Sequence, residues 1–182
     1  MEETKRILFI GDSLTEWFDL GKYFSDISIL NEGIAGDTTY GVLERIDGIM
    51  ANPADKIFLM IGINDIFNGY PKEDIIENLQ LIIEEIQTQS IESELIIQNL
   101  LPVNEHMLGS PNHLNKIIRH INENLKEHCQ ARGIINLNLY SSFLSGDQLD
   151  RKYTTDGGHL SEEGYALWAE KIHAFLPGGR KA

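Results

Sequence analysis

Each residue in this sequence suited to acyl-transfer chemistry sits in or beside a glycine-containing turn. Ser13 lies in Gly11-Asp12-Ser13-Leu14, directly after the apolar run Ile7-Leu8-Phe9-Ile10. A hydroxyl attacks a carbonyl only when a base takes its proton, and that base must itself be oriented by a third group. His159 can be the base and Asp156 the orienting group. Their i, i+3 spacing across Gly157-Gly158 lets both side chains point the same way. The oxyanion that forms also needs donors aimed at it. The backbone N–H of Ser13, the backbone N–H of Gly36 and the side-chain amide of Asn64 can supply three. Gly36 has no Cβ, so its amide can approach a substrate closely.

These positions converge only if the chain brings its turns to one edge of one sheet. Residues 7–10 form a short, continuous apolar run, the mark of a buried parallel strand, and residues 14–20 read as helix. Ser13 therefore falls where a strand ends and a helix begins. A second strand is expected at 27–30, followed by the turn 31–37 and a helix over 39–50 with Val42, Leu43, Ile46 and Ile49 on one face. Residues 57–61 are apolar throughout, as in a central strand, and lead into Gly62-Ile63-Asn64-Asp65, read as a loop. Pro71 opens a helix over 72–89, and 95–98 is the fourth strand. A polar loop through Gly109, Ser110 and Pro111 leads to a helix over 113–132, closed by Gly133. The fifth strand lies within 134–139, and a loop then runs to Asp156. Ser161 caps a last helix reaching about Leu176, with Pro177 and Gly178 closing it before a frayed tail.

Strands alternating with helices predict an α/β fold: a three-layer α/β/α sandwich with five parallel strands and right-handed crossovers. One domain over residues 1–182, with its core at about 6–176, accommodates every element. Such sheets bind ligands at their carboxyl edge, where the turns bearing Ser13, Gly36, Asn64 and Asp156/His159 emerge.

A formal net charge of −13 argues against nucleic acid or an anionic membrane surface as the main partner. Cys129 is the sole cysteine, so no intrachain disulfide can form, which fits a reducing compartment. It falls in a helical stretch without metal-ligand spacing and reads as structural. The run at Ile7 is too short for a membrane span. A cytoplasmic location is the default, a secreted or periplasmic one being open if a leader has been removed. Asp156 and His159 could be half of a metal site, but the sequence offers no matching second pair, so no metal is expected.

Four blocks together resemble the SGNH (GDSL-type) hydrolase family. They are Gly11-Asp12-Ser13-Leu14, the stretch from Asn31 to Thr39 containing Gly36, Gly62-Ile63-Asn64-Asp65, and Asp156-Gly157-Gly158-His159-Leu160. The resemblance runs from Arg6 to Leu176. It implies a flavodoxin-like strand order 2-1-3-4-5, Ser13 as nucleophile, Asp156 and His159 as its partners, and Ser13, Gly36 and Asn64 as the oxyanion hole. Gly36 is preferred to Gly33 as donor on this block match alone. No cofactor is implied. The wording Gly-Ile-Ala-Gly-Asp-Thr-Thr resembles the branch containing platelet-activating-factor acetylhydrolase subunits and bacterial acetylesterases, which implies short acyl groups. The Gly-x-Ser-x-Gly elbow of α/β-hydrolases does not surround Ser13.

Taken singly, Ser13 could merely cap a helix, and Gly36 and Asn64 could be ordinary turn residues. As a set they predict a serine esterase acting on a small-molecule ester, an acetylated sugar or a short-chain lipid ester. Asp12 and Asp65 read as bracing groups for their turns. Ile63 and Leu160 are candidate contacts for the acyl group. The same residues would serve a thioesterase or lysophospholipase. The rival from another class is a catalytically idle carbohydrate- or lipid-binding domain. The sequence leaves the oligomeric state open.

Overall fold

The computed structural model describes residues 6–24, 28–110 and 113–176. Five parallel strands form its centre in the order β2-β1-β3-β4-β5, as expected. They are β1 (Arg6–Gly11), β2 (Ser28–Gly33), β3 (Lys56–Met60), β4 (Glu94–Gln98) and β5 (Ile135–Leu137). Gly11 at the end of β1 pairs with Gly33 of β2 and with Met60 of β3. Those three strands therefore finish in step, and the turns that follow them start from one edge.

Helices α3 (Thr39–Met50), α5 (Lys72–Gln89) and α7 (Leu114–Arg132) pack side by side on one face. Their apolar stripes turn inward: Val42, Ile46 and Ile49 are buried, as are Ile75, Leu79, Ile82, Ile83 and Ile86, and Ile118, Ile121 and Leu125. On the other face, α8 (Glu162–His173) meets the segment after β1, where Phe18 stacks on the fully buried Trp168. Trp168 Nε1 donates to Gln98 Oε1 at 2.7 Å, which satisfies two buried polar groups at the end of β4.

The first helix is shorter than its sequence suggests. It divides into α1 (Ser13–Glu16) and α2 (Leu20–Tyr23). Phe18 turns into the core at the break, and Asp19 starts the second turn by accepting from the Lys22 amide. The Gly62 loop likewise continues as a helix, α4 (Ile63–Phe67). The polar loop after β4 contains α6 (Glu105–Leu108), capped by Asn104. Between β5 and Asp156 lie two 3₁₀ turns and a two-stranded hairpin, β6 (Leu144–Ser145) with β7 (Gln148–Leu149). The last helix ends at His173. Expectations placed on Ile27, Pro111 and the tail from Pro177 fall outside the described residues.

Two asparagines of α7 do what a further strand would do. Asn122 accepts from the Leu100 amide at 2.8 Å and donates to the Leu100 carbonyl at 2.9 Å. Asn115 pairs with Val103 in the same way, at 2.9 and 2.8 Å. The extended chain after β4 is thus held by side chains spaced two helical turns apart. Asn122→Ala leaves the buried Leu100 N–H and C=O without their partners and is expected to cost roughly 2–4 kcal/mol in urea unfolding. A loss within a few tenths of a kcal/mol would show that the loop does not depend on this pairing.

Candidate active site

Ser13 is the first residue of α1 and is largely buried, with Asp12 as its N-cap. The cap carboxylate accepts from the Leu14 amide at 3.0 Å. The turn lies directly on the sheet end, and glycine makes this possible. A Cβ on Gly33 would stand 2.3 Å from the Glu16 amide nitrogen, and one on Gly11 would stand 2.6 Å from the Met60 carbonyl. Asn31 completes the attachment, donating to the Thr15 carbonyl at 2.8 Å and accepting from the Gly33 amide at 2.9 Å.

Three donors near this turn are uncommitted among the described residues. The amides of Ser13 and Gly36 bond to no other group. Gly36 has φ +81°, and no atom lies within 4 Å of where its Cβ would be. The Gly33 amide is already taken by Asn31, so the two glycines have separate tasks: Gly33 for close packing, Gly36 for an open amide. Asn64 uses one N–H of its side chain on the Asp37 carbonyl, at 2.8 Å, and retains a second. Next to it, Asp65 is fully buried. Its carboxylate accepts from the Thr39 amide at 3.0 Å and the Thr39 hydroxyl at 2.6 Å. It is a bracing group, as its place in the sequence suggested, and burial raises its pKa against those bonds. Arg45 steadies the Gly36 loop from outside, reaching the Asp37 carboxylate at 2.9 Å and the Glu32 carbonyl at 2.8 Å.

Asp156 and His159 are joined directly, Asp156 Oδ2 lying 2.6 Å from His159 Nδ1. The other carboxylate oxygen accepts from the amides of Gly158, at 2.9 Å, and His159, at 2.7 Å. Burial pushes this carboxyl up, and the bonds from the His159 side chain and the two amides outweigh it, leaving the pKa below the usual value. With Nδ1 engaged, Nε2 is the free ring nitrogen. Ser13 Oγ and His159 Nε2 have no hydrogen-bond partner among the described residues, and catalytic bonds of this kind are often open before substrate binds. The ring of Trp17, one helical turn from Ser13, packs on the imidazole with centroids 4.6 Å apart, which brings the two turns together.

Thr154 and Asn104 support the Asp156–His159 turn, and the sequence reading did not single out either. The Thr154 hydroxyl donates to the His159 carbonyl at 2.7 Å and accepts from the Gly157 amide at 2.8 Å. The Asn104 amide donates to the Gly157 carbonyl at 2.8 Å, where Gly157 has φ +101°. A threonine just before an Asp-Gly-Gly turn is the local signal that could have been read.

Asp12 has an unusual environment. Its Oδ2 is buried without a partner among the described residues. Burial raises its pKa to about 7; the Leu14 amide and the nearby His159 oppose this, and the charges of Asp37 and Asp65 add to it. Ile63 lines a cavity of about 10 Å³ with Asp12, Leu14, Leu101, Val103 and Gly158. Leu160 does not line it; it is buried against Gly164 at the start of α8. A cleft of about 1150 Å³ opens at the opposite edge of the sheet, among Arg6, Asp55 and Ser93, away from these groups. Cys129 is fully buried, which pushes its thiol up to about 11. Among the described residues, no group of three His, Cys, Asp or Glu side chains could hold one metal ion, and no helix is long and apolar enough to cross a membrane.

The sequence model of the GDSL-like lipase/acylhydrolase family matches residues 9–167, which span every element of this site. The chain belongs to that family. It is accordingly a hydrolase acting on ester bonds. It is 28% identical over 181 residues to the alpha2 subunit of platelet-activating factor acetylhydrolase IB from Rattus norvegicus, covering 93% of this chain and 75% of that one. It is 29% identical over 169 residues to the N-acylneuraminate cytidylyltransferase of Escherichia coli, covering 91% of this chain but 39% of that longer protein. Among solved structures, one from Streptococcus pneumonia, provisionally named a platelet activating factor, superposes with a TM-score of 0.87 at 32% identity. It covers 97% of this chain and 86% of that one.

The buried acid that follows Gly11 in the family block sets a pH dependence. Folded, Asp12 holds its proton up to about pH 7; unfolded, it releases it near 3.8. Its contribution to stability is complete below pH 4 and is lost as the pH rises through 7. Asp12→Asn retains the cap acceptor and cannot ionise. The stability of this variant relative to wild type should therefore climb between pH 4.5 and 7.5, by on the order of 4 kcal/mol at most. Urea unfolding of both proteins across that range is the check, and a level difference would mean that Asp12 is charged throughout.

Proposed function

We propose that this chain acts as a single-domain serine esterase on small carboxylic esters with short acyl groups, acetyl foremost, through an acyl-enzyme on Ser13. The observation that carries this reading is the His159 ring. Asp156 fixes it by Nδ1, and Trp17 holds it against the Ser13 turn with Nε2 free. Nε2 takes the proton of Ser13 as Oγ attacks the carbonyl, and Asp156 stabilises the imidazolium. The oxyanion receives the amides of Ser13 and Gly36 and the remaining N–H of Asn64. His159 then protonates the departing alcohol. In the second half it takes a proton from water, which attacks the acyl-enzyme and releases the acid.

The acyl side is small. The cavity beside Ile63, Leu14, Leu101 and Val103 has room for about one water molecule, close to the size of an acetyl methyl group. This favours an acetylesterase over a thioesterase or lysophospholipase carrying a long chain. The uncommitted donors favour catalysis over an idle binding domain, since a binding domain has no need to leave the amides of Ser13 and Gly36 and an N–H of Asn64 without partners.

Intact-mass spectrometry after treatment with a fluorophosphonate tests the nucleophile. One adduct is expected on wild type and none on Ser13→Ala, whose hydrolysis of p-nitrophenyl acetate should fall by roughly 10⁴-fold or more. An unlabelled, folded wild type would reject the esterase mechanism in favour of the binding domain. Asn64→Ala should lower kcat by about 10²–10³-fold with a smaller change in KM. A raised KM with kcat unchanged would place Asn64 in substrate binding and outside the oxyanion hole.

A further inference from the structure

Eight large apolar side chains are conspicuously exposed among the described residues, and six of them lie on segments that leave the carboxyl ends of the strands. These are Trp17, Ile34, Tyr40, Phe67, Tyr70 and Met107. Tyr40 and Tyr70 meet edge to face, with centroids 5.6 Å apart. Phe67 lies 3.9 Å from where a Cβ of Gly158 would stand, and Met107 lies 3.0 Å from that of Gly157. The Asp156–His159 turn is therefore rimmed by apolar surface. Clusters of exposed apolar groups around a polar centre mark ligand-binding surfaces.

Trp17 is the member closest to the chemistry. It is 53% exposed, whereas the other tryptophan, Trp168, is fully buried. One part of its ring lies against His159, and the rest faces solvent. Its indole N–H has no partner among the described residues. The leaving oxygen must come within hydrogen-bond reach of His159 Nε2 to receive its proton. Whatever that oxygen carries then extends from the imidazole within a ring's breadth of the indole.

We propose that Trp17 is the platform for the alcohol half of the substrate, and that this alcohol carries a ring with a flat apolar face, aryl or pyranose. The inference rests on the reading of Ser13 and His159 given above and adds the substrate class. The ester thus divides at its carbonyl: a methyl-sized acyl group enters beside Ile63, and a ring lies on Trp17. A flat ring covers exposed indole and keeps water off the imidazole, a gain that an ethyl group cannot match.

Steady-state kinetics with phenyl acetate, a peracetylated methyl glucoside and ethyl acetate test the platform. Trp17→Ala should reduce kcat/KM for a ring-bearing acetate by roughly 10-fold more than for ethyl acetate, chiefly through KM, and Trp17→Phe should recover most of the loss. A selective loss for phenyl acetate alone identifies an aryl alcohol, and one for the glucoside alone a pyranose. Equal losses on all three esters would overturn the proposal. A second measurement does not depend on turnover. In Ser13→Ala, adding the preferred ring ester should change tryptophan emission, and the change should vanish in Ser13→Ala/Trp17→Phe, because Trp168 is sealed in the core. An emission that stays constant, or a change that persists without Trp17, rejects the platform. Wild type that hydrolyses none of the esters while this emission change is present would instead reject the esterase mechanism and leave the platform standing.

Discussion

The arrangement of the site depends on the buried carboxylate of Asp65. A parallel sheet brings the strand ends to one edge, but it does not set the distance between the turns that leave them. Asp65, at the start of the segment after β3, accepts from the amide and hydroxyl of Thr39, the first residue of the helix after β2. Asn78 of α5 donates to the same hydroxyl at 3.0 Å, so three segments meet at one buried point. An ionised carboxylate at a helix N-terminus is favoured by the helix dipole, which offsets part of its desolvation. Asn64 is the neighbour of Asp65, and Asp37 is the neighbour of Gly36. The Asn64 to Asp37 bond therefore places the side-chain amide and the open backbone amide by the same tie.

Two carboxyls act on the same imidazole from different environments, and the environments separate their states. Asp156 accepts three hydrogen bonds and is held in its charged form. Asp12 is buried with one oxygen unpartnered and titrates at about 7. Burial raises the pKa of Asp12 and hydrogen bonding holds that of Asp156 down, so environment alone sets the two carboxyls apart. His159 is thus oriented by a firm anion on the Nδ1 side. The second carboxyl, next to Ser13, can carry a proton near neutral pH without disturbing the cap that it forms through its other oxygen.

Much of this was legible in the sequence because it is encoded locally. The helix expected over 39–50 is Thr39–Met50, and that over 72–89 is Lys72–Gln89, each set by its own apolar stripe and start signal. The alternation of elements gives the parallel sheet and the family resemblance its order, and the first three blocks come to one edge because β1, β2 and β3 end in step. What escaped depends on partners distant in the chain. Trp17 and Phe18 read as helix, yet the burial of Phe18 against Trp168 breaks it. Asn115 and Asn122 look like solvent-facing residues of α7, and only the strand-like chain at Leu100 and Val103 reveals their role. The stretch between β5 and Asp156 has no periodicity long enough to read, and its hairpin is held by contacts such as the Leu149 amide to the Val103 carbonyl at 3.1 Å. Leu160, a candidate acyl contact in the sequence, follows His159 directly, yet its side chain is buried against Gly164 of α8, a contact distant from the turn that only the fold reveals.

Charge and apolar surface divide the task of selecting a substrate. With a formal net charge of −13, the chain produces a field that opposes the approach of anions at long range. At short range the rim is apolar, and charge near it is screened little by solvent. An ester with a carboxylate or phosphate on its alcohol part would be disfavoured twice, first in approach and again on losing water against the indole. A neutral ring suffers neither penalty. The oxyanion avoids the same repulsion because it never travels through solvent. In the mechanism proposed above it forms at the ester carbon attacked by Ser13, beside Asp12, whose burial raises its pKa to about 7. In that mechanism the negative charge on the oxyanion is matched by the imidazolium of His159 that forms with it. The burial of Asp12 keeps the acid beside Ser13 from adding a full opposing charge below about pH 7.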